Sequence, residues 1–167
     1  MRRRTVPAPS DGSASQSGAV AVAVASRRRV AGVRAADVRR DAALLMHALN
    51  VAAELSLALV GDDEMQRLNA RYRGLDRPTD VLAFAQREGA GGSLHLDLLG
   101  DVVISLDTAS RQAAERGVTL RDEVRLLLAH GLLHLLGYDH ERSRADARRM
   151  FAKQRRLLSL AFADDQR

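Results

Sequence analysis

Apolar residues recur along this chain in two rhythms, every second position in short stretches and every third or fourth in longer ones, and their succession predicts an α+β fold. Residues 19–26 alternate Val with Ala, and residues 54–60 read E-L-S-L-A-L-V; both predict half-buried strands. Between them, Val38, Ala42, Leu45 and Leu49 fall at helical spacing, predicting a helix from 35 to about 50. Gly61-Asp62-Asp63-Glu64 supplies a turn, an N-cap and first-turn carboxylates for a helix running through Met65, Leu68 and Tyr72. Residues 74–79 form a loop punctuated by Pro78, and 81–85 a short buried strand. A Gly-rich turn follows over 86–93, residues 95–99 can pair back, and 100–106 is the last strand, β-branched in its middle. A helix opens at Asp107 or Thr108 and stops at Gly117. Thr119-x-x-Asp122 is a capping box for the next helix, and a closing amphipathic helix over 143–161 turns Ala147, Met150, Phe151, Leu157 and Leu158 inward.

The sum is a small mixed four-stranded sheet covered by about five helices. A length of 167 residues suits one buried core, so residues 19–167 are expected to form a single domain. Residues 1–18 are Arg, Ser, Pro and Gly with little to bury, and are expected to be a disordered tail. An Arg-rich start followed by a Val/Ala stretch also has some targeting-peptide character, but the apolar piece is short, distant from the basic start and alternating, which favours a strand. The longest apolar-rich window, 42–60, is broken by His47, Asn50 and Glu54 and is no membrane span. A cytoplasmic location is the expectation.

Charge and composition narrow the chemistry. The net +5 is uneven: residues 1–40 carry nine Arg against Asp11 and Asp37, or +7, leaving −2 on the rest with its 17 basic and 19 acidic side chains. An Arg-rich arm adds sequence-independent attraction to phosphates, but no uniformly basic surface is present. Aromatic residues are only Tyr72, Tyr138, Phe84, Phe151 and Phe162, which argues against modules that read single-stranded RNA on many stacking platforms. No Cys is present, so a transition metal must be held by His and carboxylates.

That metal has an evident seat in residues 129–141, A-H-G-L-L-H-L-L-G-Y-D-H-E. His130 and His134 lie one helical turn apart on one face. Gly137 tolerates the left-handed conformation that lets the chain turn, so that His140 returns to the same point. One His on a Leu-rich helix is ordinarily a core residue; three in this pattern form a metal site with an open coordination position, as in catalytic zinc centres. The spacing matches the zinc-peptidase helix H-E-x-x-H-x-x-G-x-x-H except that Gly131 stands where the peptidase has its Glu base, which disfavours peptide hydrolysis. His47 and His95 lie elsewhere and are expected to be structural or exposed.

The run from His130 to His140 resembles the H-G-x-L-H-L-x-G-Y-D-H signature of the YbeY family of zinc-dependent endoribonucleases at every fixed position. Leu68-Asn69-x-x-Tyr72-Arg73 with Asp76-x-Pro78-Thr79-Asp80-Val81-Leu82-x-Phe84, and the strand Gly100-Asp101-Val102-Val103-Ile104, extend the likeness over about 55–151. Leu75, Ala83 and Ala85 depart from the family's Lys, Ser and Pro. The resemblance implies a zinc-peptidase-like His helix, one Zn2+ held by His130, His134 and His140, with other divalent transition metals compatible, and Arg73 and His130 as catalytic residues. Arg73 would clamp the scissile phosphate, while zinc would acidify a water toward roughly pKa 7 or polarise that phosphate. Attack by water and attack by the ribose 2′-hydroxyl both remain open. Asp139 either orients an imidazole or bonds its own turn, and Thr79 and Asp80 either cap a loop or line the cleft.

The implied activity is single-strand-specific endoribonucleolysis in 16S rRNA 3′-end maturation and ribosome quality control, with precursor rRNA and small-subunit proteins as partners and no membrane association. Two rivals stand beside it: a metallohydrolase of another substrate class, peptidase-like with a relocated base, and a non-catalytic ribosome assembly factor that zinc stabilises.

Overall fold

A computed structural model describes residues 19–86 and 98–166; the expected tail over 1–18 and the turn that includes His95 lie outside the described residues. The elements run β1 (Ala21–Ser26), α1 (Ala35–Ala48), β2 (Glu54–Val60), α2 (Asp62–Arg73), β3 (Val81–Ala85), β4 (Leu98–Ser105), α3 (Leu106–Arg116), α4 (Leu120–Leu135), α5 (Arg144–Ala161) and a 3-10 turn (Ala163–Gln166). The strand order is β1-β2-β4-β3, with β1 and β4 parallel to β2 and β3 antiparallel to β4. This is the expected mixed four-stranded sheet with five helices.

Period-two patterning decides which side of the sheet is covered. Val22, Val24, Leu55, Leu57, Leu59, Val102 and Ile104 point to one face and pack with α1 and α4 in the main core. On the opposite face Val60, Leu82 and Val103 meet Met65 and Leu68 of α2 in a smaller cluster. Since α2 reaches only part of that second face, the rest of it is uncovered among the described residues.

The entries to α2 and α3 differ from expectation in an instructive way. Gly61, not an Asp, is the N-cap of α2 and makes no side-chain cap bond. The backbone N–H of Asp62 instead donates to Asp107 Oδ2 at 3.0 Å. Asp62 Oδ1 in turn accepts from Ser105 Oγ and Thr108 Oγ1, each at 2.7 Å. Helix α3 therefore begins one or two residues earlier than expected, capped by Ser105, whose Oγ accepts from Thr108 N. An orphan donor of α2 is thus satisfied by a side chain of α3, and hydroxyls at the start of α3 donate back to Asp62, a solution between elements that a local capping pattern cannot display. Strand β4 likewise starts at Leu98, two residues early.

A buried ion network ties α1 to α4. Asp41 accepts from Arg121 (3.0 and 2.8 Å) and from Arg125 (2.9 and 3.3 Å). Arg125 also pairs with Asp165 and stacks over Phe162, 4.0 Å from the ring centroid, pinning the chain end to α4.

Candidate metal centre and active-site cleft

Helix α4 is opened as its sequence foretells: Thr119 Oγ1 accepts from Asp122 N at 3.1 Å. It ends where Gly137, at φ +92, allows Tyr138 N to bond Leu133 O and Gly137 N to bond His134 O, closing the last turn. The chain then reverses and brings His140 beside the two helical imidazoles. His130, His134 and His140 each offer a ring nitrogen within 4.8 Å of the others.

The proton arrangement fits a cation at their centre. His130 Nδ1 lies 2.9 Å from Gln154 Oε1 on α5, so the ring proton is assigned to Nδ1 and the Nε2 lone pair is left facing inward. His130 Nε2 and His134 Nε2 are 3.1 Å apart, and His140 Nδ1 is buried with no hydrogen-bond partner among the described residues. Burial pushes the His130 and His134 rings below the usual imidazole range, keeping them neutral as ligands must be. Converging ring nitrogens, one of them orphaned, are what a divalent cation satisfies.

Two surrounding residues were not legible beforehand. Gln154 is buried on α5 and orients His130, and its place 24 residues downstream carries no local signal. Phe151, expected in the core of the closing helix, is 40% exposed and instead walls the site, its ring centroid 6.2 Å from that of His130 and 5.8 Å from that of His140. Asp139 takes the turn-forming alternative: its Oδ1 accepts from Glu141 N at 2.8 Å, a bond that holds its carboxyl below the usual range.

The histidines open into a cleft of about 730 Å³ lined also by Tyr72, Arg73, Thr79, Asp80, the edge strand β3, Gly131 and Glu141. Arg73 closes α2, just before Gly74 at φ +70, and its guanidinium is 3.9 Å from the Glu141 carboxylate. Both groups are largely exposed, so this pairing is weak and the guanidinium is available to a ligand. Asn69 donates to Arg77 O at 2.8 Å, tying the 74–79 loop to α2. Asp80 does both things proposed for it: it lines the cleft, and it accepts from Val81 N and from Gln112 Nε2 at 3.1 Å. His47 is exposed at the end of α1, away from these elements.

Gly131 explains the missing peptidase glutamate. A Cβ there would lie 2.9 and 3.2 Å from the two methyls of Val102 and 3.4 Å from Val81 Cγ2. The helix approaches the sheet so closely that a side chain at this position would force Val102 or the helix to shift, and a carboxylate more so.

Fold and site together define an α+β protein with three converging histidines that could hold a metal ion, at the edge of a small mixed sheet. The family model for Endoribonuclease YbeY matches residues 31–161, and the chain belongs to that family. It is 45% identical over 141 residues to Endoribonuclease YbeY of Geobacter sulfurreducens, covering 83% of this chain and 94% of the relative. With that of Syntrophotalea carbinolica it shares 52% identity over 108 residues, 64% of this chain and 72% of the relative. The solution structure of TM1509 from Thermotoga maritima aligns with a TM-score of 0.60 at 26% identity, over 88% of this chain and 91% of that one.

Proposed function

We propose that this protein is a metal-dependent endoribonuclease that cleaves single-stranded RNA, with Zn2+ held by His130, His134 and His140 and with Arg73 and His130 as its catalytic residues. The observation that carries this reading is the pairing, in one open cleft, of three converging imidazoles with an exposed arginine at a helix end. A divalent zinc ion supplies a Lewis acid for a phosphoryl oxygen and lowers the pKa of water.

The chain's own residues do the rest. Arg73 presents a guanidinium fork that holds two phosphate oxygens and offsets the charge that builds as phosphorus becomes five-coordinate. Gln154 fixes the His130 tautomer, and the turn bonded by Asp139 carries His140 to the centre. Family membership supports RNA as substrate and precursor rRNA, at the 16S 3′ end, as its physiological form, with the small ribosomal subunit as partner and ribosome quality control as the setting. A cytoplasmic location is consistent with this, and among the described residues no helix is long and apolar enough to cross a membrane.

The peptidase rival lacks a base at the motif position, and a side chain there would collide with Val102. Arg73→Ala tests the reading against a merely zinc-stabilised assembly factor. The variant is expected to keep its metal content and melting temperature while losing at least roughly a hundredfold in RNA cleavage rate, the scale of one lost charge-stabilising donor. Unchanged cleavage would place the chemistry elsewhere.

A further inference from the structure

The open part of the sheet's second face adjoins the metal cleft. A cavity of about 370 Å³ lies there as a trough on the sheet, and Tyr72 and Phe84 border both it and the cleft. Its floor follows from strand register: Ser56, Asp101 and Phe84 partner one another in a row across β2, β4 and β3, with Ala25 and Ala58 in the row beside them. Small side chains on β1 and β2 give the trough depth, and Phe84 gives it an aromatic end. Tyr72 stands at the junction, 56% exposed, its ring 5.0 Å from that of Phe84 and tilted by 59°. Hydrophobic burial does not account for a tyrosine so exposed. The Arg71 guanidinium lies 5.4 Å from the Tyr72 centroid, and neither Arg71 nor Arg67, one helical turn before it, has a carboxylate within ion-pair distance among the described residues.

Of the charged groups lining this cavity, Arg27 is paired with Glu64, and Asp101 speaks to what enters. Asp101 Oδ2 accepts from Gln86 Nε2 at 2.9 Å, which leaves the carboxylate with acceptor capacity toward the trough. A carboxylate repels phosphate, so the backbone of a bound strand belongs toward Arg73 in the cleft and Arg71 beside Tyr72, and a donor-bearing base edge belongs over Asp101. Of the four bases, guanine presents two adjacent N–H donors on its Watson–Crick edge, the match for one carboxylate.

We propose that this second cavity is a nucleobase subsite beside the scissile phosphate, with Tyr72 as the stacking face and Asp101 as the acceptor that favours guanine. The proposal rests on the ribonuclease reading and extends it from phosphate chemistry to base selection. Two of the chain's few aromatic residues are thereby placed where one base, and not a series of them, is held.

The test is a cycle between protein and substrate, using zinc-loaded protein and a short single-stranded RNA with one cleavage site. Tyr72→Leu should lower kcat/KM roughly ten- to hundredfold, mostly through KM, while Tyr72→Phe retains most of it. Removing the base flanking the cleaved phosphate should cost the wild type a similar factor, and Tyr72→Leu should lose nothing more on that abasic RNA. Guanine at that position should be preferred over adenine, and Asp101→Asn should remove the preference. Because the chain has no Trp and only one other tyrosine, quenching of Tyr72 emission by 2′-O-methyl oligonucleotides in a Tyr138→Phe background reports stacking without turnover. A Tyr72→Leu loss that persists undiminished on abasic RNA, or an absence of quenching, overturns the stacking face. An absence of guanine preference overturns the role of Asp101. Failure of wild-type protein to cleave the parent RNA would instead sink the ribonuclease reading, and the subsite with it.

Discussion

Gly131→Ala sets two ordinary rules against each other. In a helix interior the substitution is normally favourable, by about 1 kcal/mol, because glycine is the more costly residue to order. Here the added methyl would sit 2.9 and 3.2 Å from the Val102 methyls. Val102 is fully buried in the middle of β4, and a β-branched side chain on a paired strand has no alternative rotamer that removes both methyls from the path. Overpacking of this kind costs roughly 1–3 kcal/mol, so a net loss of about 1 kcal/mol is expected, a melting temperature about 2–4 °C lower. The strain falls between His130 and His134, so pushing α4 off the sheet should also weaken metal retention. Urea unfolding of apo and zinc-loaded protein, with metal content measured on the same samples, checks both effects. Gly131→Glu, which completes the peptidase motif on paper, adds an unpaired buried charge and should be insoluble or metal-deficient, with no peptidase activity. An Ala variant about 1 kcal/mol more stable than the parent, with full metal content, would show that the close helix–sheet contact does not exist.

Further outcomes follow from the same structure. Gln154→Leu should weaken zinc affinity by roughly 10- to 100-fold with little change in the far-UV spectrum, because the His130 tautomer loses its anchor; competition with a chromophoric chelator measures it. Asp41→Ala leaves Arg121 and the buried Arg125 without their shared carboxylate and should cost roughly 3 kcal/mol in chemical denaturation, with the metal site's chemistry unchanged in folded protein. In apo protein the His130 and His134 rings should titrate below 6.5, the ordinary value from which burial depresses them. The unfolded chain then takes up protons first as pH falls, so the stability these two rings lend is full above about 6.5, declines as pH drops below it, and levels off beneath their folded pKa values. Proton NMR of the ring resonances decides this, and titration at or above 6.5 would contradict it.

What the chain determined alone was whatever depends on neighbours a few residues away. The alternation in Glu54–Val60, the capping pair Thr119 and Asp122, and the i, i+4 histidines closed by Gly137 each encode their geometry locally, because backbone period and cap chemistry act within a turn or two. The sheet and the convergence of three imidazoles were therefore legible. Tertiary structure decided whatever depends on approach between elements. Phe151 fits the core face of α5 by periodicity, yet it lies against the His130 and His140 rings because the turn carrying His140 folds back over that helix. Gln154 became the partner of His130, Asp107 capped a helix 45 residues upstream, and Gly131 was required by Val102. The physical reason is common to all of these. A side chain's local pattern fixes the direction in which it points, whereas what it meets there is set by the packing distance between layers, which no short stretch of sequence contains.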